Sequence, residues 1–158
     1  MTNKGQRVRW VLHVDMDQFL VAVELLRRPE LVGLPVVVGG RGDPTERAVV
    51  STASYEARAF GVRSGVALKL AKKPEAVFLP VDFPHYEKAS AQVMAALRAM
   101  PSAVVEVLGW DEAFVGFEVD DSVDPMTLAA AARAAVVEAS GPSCSVGVGD
   151  TRVRAKTA

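Results

Sequence analysis

Val104-Val105-Glu106-Val107-Leu108-Gly109 and Phe114-Val115-Gly116-Phe117-Glu118-Val119 read as two strands folded back on each other, joined by a tight turn that carries Trp110, Asp111 and Glu112. Just before them, His85 to Met100 forms a long amphipathic pattern with Ala89, Val93, Met94 and Leu97 on one helical face. Arg9 to Asp15 is a buried strand. Downstream, Asp124-Pro125 opens an alanine-rich helix over Ala129 to Ala139, Cys144 to Gly149 is a last strand, and Thr151 to Ala158 begins a helix. With the stretch from about Gln18 to Asp82 set aside, the order is strand, helix, strand, strand, helix, strand. That is the ferredoxin-like split βαβ pattern of an α/β (α+β) chain. Its first and second strands run parallel with the third between them, so Asp15 and Asp17 share an edge with Asp111 and Glu112.

The inserted stretch reads as a small subdomain of its own. Gln18 to Arg27 is a helix with Phe19, Val23 and Leu26 at helical spacing, closed by Pro29 and Gly33. Leu34 to Val38, Ala48 to Thr52 and Val77 to Val81 are strands, while Ser54 to Phe60 and Leu68 to Lys72 are short helices. Gly39 to Pro44 is rich in turn formers. It lacks the Gly-Lys-Ser/Thr ending of a P-loop and the spacing of a dinucleotide fingerprint, so it reads as an exposed turn.

Composition bounds the function without naming it. The chain has 158 residues, half of them apolar, which suits one ordinary domain or two small packed ones. The longest apolar runs fall far short of the roughly 18 residues that a membrane-spanning helix requires. The basic start, with Lys4, Arg7 and Arg9, leads into a strand rather than a signal-peptide core, so the expected compartment is the cytoplasm and no membrane partner is expected. Cys144 is the single cysteine and forms no internal disulfide; with His13 and His85 it makes no zinc spacing. A net charge of −1 does not announce a nucleic-acid partner, because affinity for a polyanion rests on Lys and Arg.

The carboxylates carry the chemistry. Four acidic groups at one sheet end repel one another, and a hard divalent ion removes that cost. Oxygen ligands on rigid strand ends suit magnesium, which takes its remaining ligands from water and from substrate phosphates. Two such ions activate an attacking oxygen and neutralise the phosphoryl group between them. Two solvated acidic turns are the competing reading of the same residues.

His13-Val14-Asp15-Met16-Asp17-Gln18-Phe19 resembles the first catalytic motif of Y-family translesion DNA polymerases, in the DNA polymerase IV branch. Ser51-Thr52-Ala53-Ser54-Tyr55-Glu56-Ala57-Arg58, continuing to Phe60-Gly61-Val62-Arg63-Ser64, is similar to that family's fingers signature. Asp111-Glu112-Ala113-Phe114 resembles its second carboxylate motif, and Ser145-Val146-Gly147-Val148 through Ala155-Lys156 its strand-to-helix lysine segment. The resemblance implies a palm over residues 8–17 and 83–158 with fingers over 18–82. It implies two Mg²⁺ ions, or Mn²⁺ in their place, held by Asp15, Asp111, Glu112 and the backbone carbonyl of Met16, with Asp17 in a supporting role. Thr52, Tyr55, Arg58 and Lys156 would bind the incoming triphosphate, as hydroxyl, guanidinium and ammonium donors suit phosphate oxygens. Backbone amides at Gln18 and Phe19, at a helix start, would add to them.

Departures from the family pattern carry their own expectations. Leu20 stands where the family keeps an aromatic steric gate against the ribose 2′-hydroxyl, which predicts weak discrimination between dNTP and rNTP. Val49, Ser51 and Gly65 occupy positions over the nascent base pair and imply a roomy, lesion-tolerant site; Ala67 replaces a usual proline. Complete relatives continue into a thumb and a little finger, which grip primer-template DNA, and farther on to a sliding-clamp peptide. The resemblance therefore leads one to expect a near-neutral charge over these residues and weak primer-template binding by them alone. Two other readings remain: a haloacid-dehalogenase-type phosphatase, which the Phe19 position and the Tyr-Glu-Ala-Arg block disfavour, and a non-catalytic polymerase-like module that binds DNA or protein.

Overall fold

The computed structural model of the protein describes residues 5–73 and 75–158. Lys4 of the basic start and Pro74 of the inserted stretch lie outside the described residues. The chain divides into two compact units, one made of the residues up to Asp17 together with Glu87–Ala158, the other of Gln18–Tyr86. It is a mixed α/β chain with two sheets.

The first unit is built on a four-stranded sheet of β1 (Arg7–Met16), β5 (Val104–Val107), β6 (Glu112–Asp120) and β7 (Cys144–Gly149) in the order β5-β6-β1-β7. Every neighbouring pair is antiparallel, which makes β1 and β5 parallel with β6 between them, the ferredoxin-like arrangement. Because strand side chains alternate faces, the register Leu12↔Val115 and Val14↔Ala113 puts four buried apolar residues on one face. The same register puts Val11, His13 and Asp15 on the other, opposite Gly116, Phe114 and Glu112. The helices are α3 (Phe83–Arg98), α4 (Pro125–Ser140) and α5 (Arg152–Thr157), with most of α3 in this unit. Leu97 and Val93 of α3 and Ala132 and Val136 of α4 are fully buried.

Caps explain where these helices begin. The Asp124 carboxylate accepts from the Met126 amide at 2.9 Å, and Pro125 tolerates the first helical position because its missing N–H has no helical partner there. Thus α4 starts four residues before Ala129. Thr151 caps α5 by accepting from the Arg154 amide. Gly147 and Gly149 let α5 lie directly on β7: a Cβ at Gly149 would stand 2.5 Å from the Ala155 amide nitrogen, and one at Gly147 would collide with the Ala155 carbonyl.

The second unit holds a three-stranded sheet in the order β3-β2-β4, formed by β2 (Val36–Val38), β3 (Thr52–Ala53) and β4 (Val77–Leu79), with β2 antiparallel to β3 and parallel to β4. Helices α1 (Phe19–Arg27) and α2 (Tyr55–Arg58) pack on β2 and β3. Its core joins Val37, Val50, Ala53, Ala57, Val62, Leu68 and Ala71. The expected strand over Ala48 to Thr52 is shorter. Residues 48–50 bond instead to 65–68, through Val50 N to the Val66 carbonyl and Leu68 N to the Ala48 carbonyl, because a turn brings that segment back against them. The expected short helix from Leu68 is a single 3₁₀ turn over Leu68–Leu70.

Candidate active site

The carboxylate edge is assembled by the strand register. Asp15 lies directly opposite Glu112 on β6 and opposite Ser145 on β7. One step on, the Met16 amide donates to the Asp111 carbonyl at 2.8 Å, so the ladder itself draws Asp111 to the end of β1. The Asp111 turn is fastened from two sides: the Leu108 amide donates to the Glu112 carbonyl at 2.9 Å, and the Ser90 hydroxyl donates to the Trp110 carbonyl at 2.6 Å. Asp15, Met16, Asp111 and Glu112 are therefore brought together at one corner of the first unit.

The electrostatics of this corner are unequal. Partial burial, then the Asp111 and Glu112 charges, hold the Asp15 carboxyl above its ordinary 3.8. Burial, then the Glu112 charge, raises Asp111 as well. Glu112 goes the other way: a 2.6 Å hydrogen bond from His13 Nε2 to its Oε1, with Lys156 Nζ 3.2 Å away on the same oxygen, favours the charged form. Among the described residues no three His, Cys, Asp or Glu side chains converge as a ready metal cage. In this arrangement the Glu112 carboxylate is engaged by His13 and Lys156.

Asp17 is committed elsewhere. Its two oxygens accept from the hydroxyls of Ser143, at 2.9 Å, and Ser145, at 2.7 Å, and its amide donates to the Ser143 carbonyl. It braces the end of β1 against β7. Lys156 reaches Glu112 because α5 rests on the glycines of β7.

In the second unit, Gln18 adopts a left-handed conformation, φ 39° and ψ 52°, and precedes α1, whose start no side-chain hydrogen bond caps. The Gln18 side-chain oxygen accepts from the Tyr55 amide at 2.9 Å. Phe19 is buried, so only its backbone is offered to a ligand; Leu20 is half-buried. Thr52 sits opposite Val38 in β3. Tyr55 and Arg58 are exposed on α2, with the Arg58 guanidinium 5.1 Å from the centre of the Tyr55 ring and its Nε donating to the Ala53 carbonyl at 3.0 Å. The helix that presents them is set by Ser54, fully buried, whose hydroxyl oxygen accepts from the amides of Ala57 and Val36. Gln18, Tyr55 and Arg58 are thus close to one another within this unit.

Sequence reasoning missed three kinds of residue here: His13, Ser54, and the Ser143–Ser145 pair. Only His13 left a signal, its place two residues before Asp15 and so on the same strand face.

The impB/mucB/samB family profile matches residues 14–158. DNA polymerase IV 2 of Mycobacterium tuberculosis is 53% identical over 153 residues, an alignment that takes in 95% of this chain and 44% of that protein. DNA polymerase IV of Methanoculleus marisnigri is 43% identical over 160 residues, covering 98% and 43%. Among solved structures, DinB from Sulfolobus solfataricus matches with a TM-score of 0.82 at 31% identity over 93% of this chain and 44% of that one. The insertion ternary complex of Dbh DNA polymerase gives the same values. The chain spans less than half the length of these relatives. Profile, relatives and fold agree, and the chain belongs to the impB/mucB/samB family, the Y-family DNA polymerases.

Proposed function

We propose that this chain carries the catalytic part of template-directed nucleotidyl transfer to a primer 3′ end, with the first unit as palm and the second as fingers. The observation that carries the reading is the pairing of Asp15 with Glu112 across β1 and β6, with Asp111 tied to the end of β1 by the Met16 amide. That corner fits a divalent cation by its chemistry. Its carboxylates and the Met16 carbonyl are hard oxygen donors, and Asp15 and Asp111 are pushed upward by burial and by neighbouring carboxylate charges, a cost that a cation relieves. Asp15, Asp111, Glu112 and the Met16 carbonyl are the residues that would hold two Mg²⁺ ions, or Mn²⁺ in their place. Such a pair, when bound, supplies charge neutralisation and an activated attacking oxygen.

The chain's own residues would do the rest. Lys156, Thr52, Tyr55 and Arg58 bind the triphosphate of the incoming dNTP, joined by the amides at Gln18 and Phe19. Leu20 lies against the sugar and, lacking an aromatic ring, leaves room for a 2′-hydroxyl, so an rNTP is also accepted. Primer-template DNA is the partner, its grip supplied chiefly by the parts of the relatives that this chain does not span; a sliding clamp would be met through those parts. The compartment is the one that holds the DNA, which supports a cytoplasmic location. Among the described residues no helix is long and apolar enough to cross a membrane.

The test is primer extension by a chimera in which these residues replace the matching part of Mycobacterium tuberculosis DNA polymerase IV 2. Extension that Asp111→Ala abolishes supports the reading. Extension that survives Asp111→Ala rejects it.

A further inference from the structure

We propose that His13 is a positioning residue for Glu112, holding its carboxylate so that it can serve a divalent cation. This rests on the reading of the carboxylate edge as a metal site. Glu112 has three side-chain torsions and stands at a half-buried strand end, so nothing in the backbone alone fixes its oxygens. Two donors do. Lys156 reaches Oε1 from a short terminal helix with a largely exposed side chain, an arrangement in which ion pairs are weak and mobile. His13 differs on each count. It sits on an interior strand of the sheet, is only 8% exposed, and its ring lies 5.3 Å from that of Phe114 at a tilt of 55°. Its Nε2 is 2.6 Å from Glu112 Oε1.

The tautomer follows from the partner. A charged carboxylate accepts hydrogen bonds and does not donate, so the proton of this bond belongs to Nε2. The register explains the reach. His13 faces Phe114 and Asp15 faces Glu112, so Glu112 lies diagonal to His13 on one face of the sheet. With Oε1 held by His13, Oε2 is the oxygen that can turn to a cation beside Asp15. Carboxylate ligands to metals are themselves held by hydrogen bonds, and removing the holder costs about 10–100-fold in metal affinity.

The experiment measures Mn²⁺ binding to the full chain by the loss of the free-ion electron paramagnetic resonance signal. It compares the native sequence with His13→Phe, His13→Gln and Glu112→Gln, each checked for folding by circular dichroism. His13→Phe is expected to weaken binding by about 10–100-fold. His13→Gln, whose amide N–H can donate to the same oxygen, recovers most of the loss. Native affinity in His13→Phe alongside weakened binding in Glu112→Gln overturns the role of His13 alone. Native affinity in both removes Glu112 from the metal site, and His13 with it. A measurement on the unsubstituted chain needs no variant to fold: titration with Mg²⁺ moves the His13 ring ¹⁵N resonances. If they stay still while Mg²⁺ binds, the assignment is wrong.

Discussion

Lys156 is 3.2 Å from Glu112, an ion pair between the last helix and the first residue of β6, and two glycines on a different strand make it possible. Gly147 and Gly149 give β7 a bare surface on which α5 rests. The helix backbone then sits low enough for the lysine to reach across β1 to the carboxylate edge. Gly147→Val, which puts a branched side chain into the Ala155 carbonyl, is expected to destabilise the chain by about 1–3 kcal/mol, as overpacking does. Urea denaturation checks the cost. The Glu112 carboxyl should also titrate at higher pH in this variant, because it loses the ammonium; an unchanged titration would separate the glycine from the lysine.

The two ends of that ion pair belong to a corner whose stability depends on pH in opposite senses. Asp15 and Asp111 bind their protons more tightly folded than unfolded, so their contribution is present below pH 3.8 and is lost as pH rises through their raised values. Glu112 is lowered from 4.5, so its contribution is present above 4.5 and is lost as pH falls through its lowered value. At pH 7 with EDTA, Asp15→Asn should therefore raise the thermal midpoint and Glu112→Gln should lower it. Adding Mg²⁺ should raise the midpoint of the native sequence and leave Asp15→Asn nearly unmoved. A midpoint lowered by Asp15→Asn in EDTA would show that the carboxylates do not strain the corner.

Ser54 is the residue on which the fingers helix depends. Its hydroxyl caps α2 and also serves the Val36 amide at the start of β2, 18 positions earlier, in a fully buried place. Ser54→Ala leaves both amides without their acceptor and should cost about 1–3 kcal/mol. Fluorescence-monitored denaturation measures it. Tyr55 and Arg58 follow directly on this cap, so nucleotide affinity should fall as well, and a stable variant with native affinity would contradict the arrangement.

Leu20 predicts a sugar preference. In the chimera described above, Leu20→Phe should raise selectivity for dNTP over rNTP by about tenfold or more, since an aromatic ring fills the room a 2′-hydroxyl needs. Single-nucleotide incorporation kinetics with both sugars decide it. Equal selectivity in the two proteins would refute the role of this position.

Much of this was legible from residues alone, for reasons that particular elements make plain. β7 was readable over Cys144 to Gly149 because Gly141-Pro142 before it and Asp150 after it break the pattern. The hairpin was readable because Gly109 and the acidic pair interrupt two apolar runs, and strand order then put Asp15 beside Glu112. What stayed hidden was what the fold alone decides. Residues 48–50 read as a strand, but their partner is a turn segment that offers only an isolated bridge. Asp17 is expected in a supporting role, but its partners are not readable: its oxygens are taken by two serines more than a hundred positions away. His13 was an unremarked letter of a motif until the register brought Glu112 diagonal to it.

The most direct test of the central claim is anomalous scattering from Mn²⁺ in crystals of this chain grown with a non-hydrolysable dNTP analogue. Manganese is expected to be bonded to carboxylate oxygens of both Asp15 and Asp111. Crystals in which the nucleotide is bound and manganese touches neither residue would contradict it.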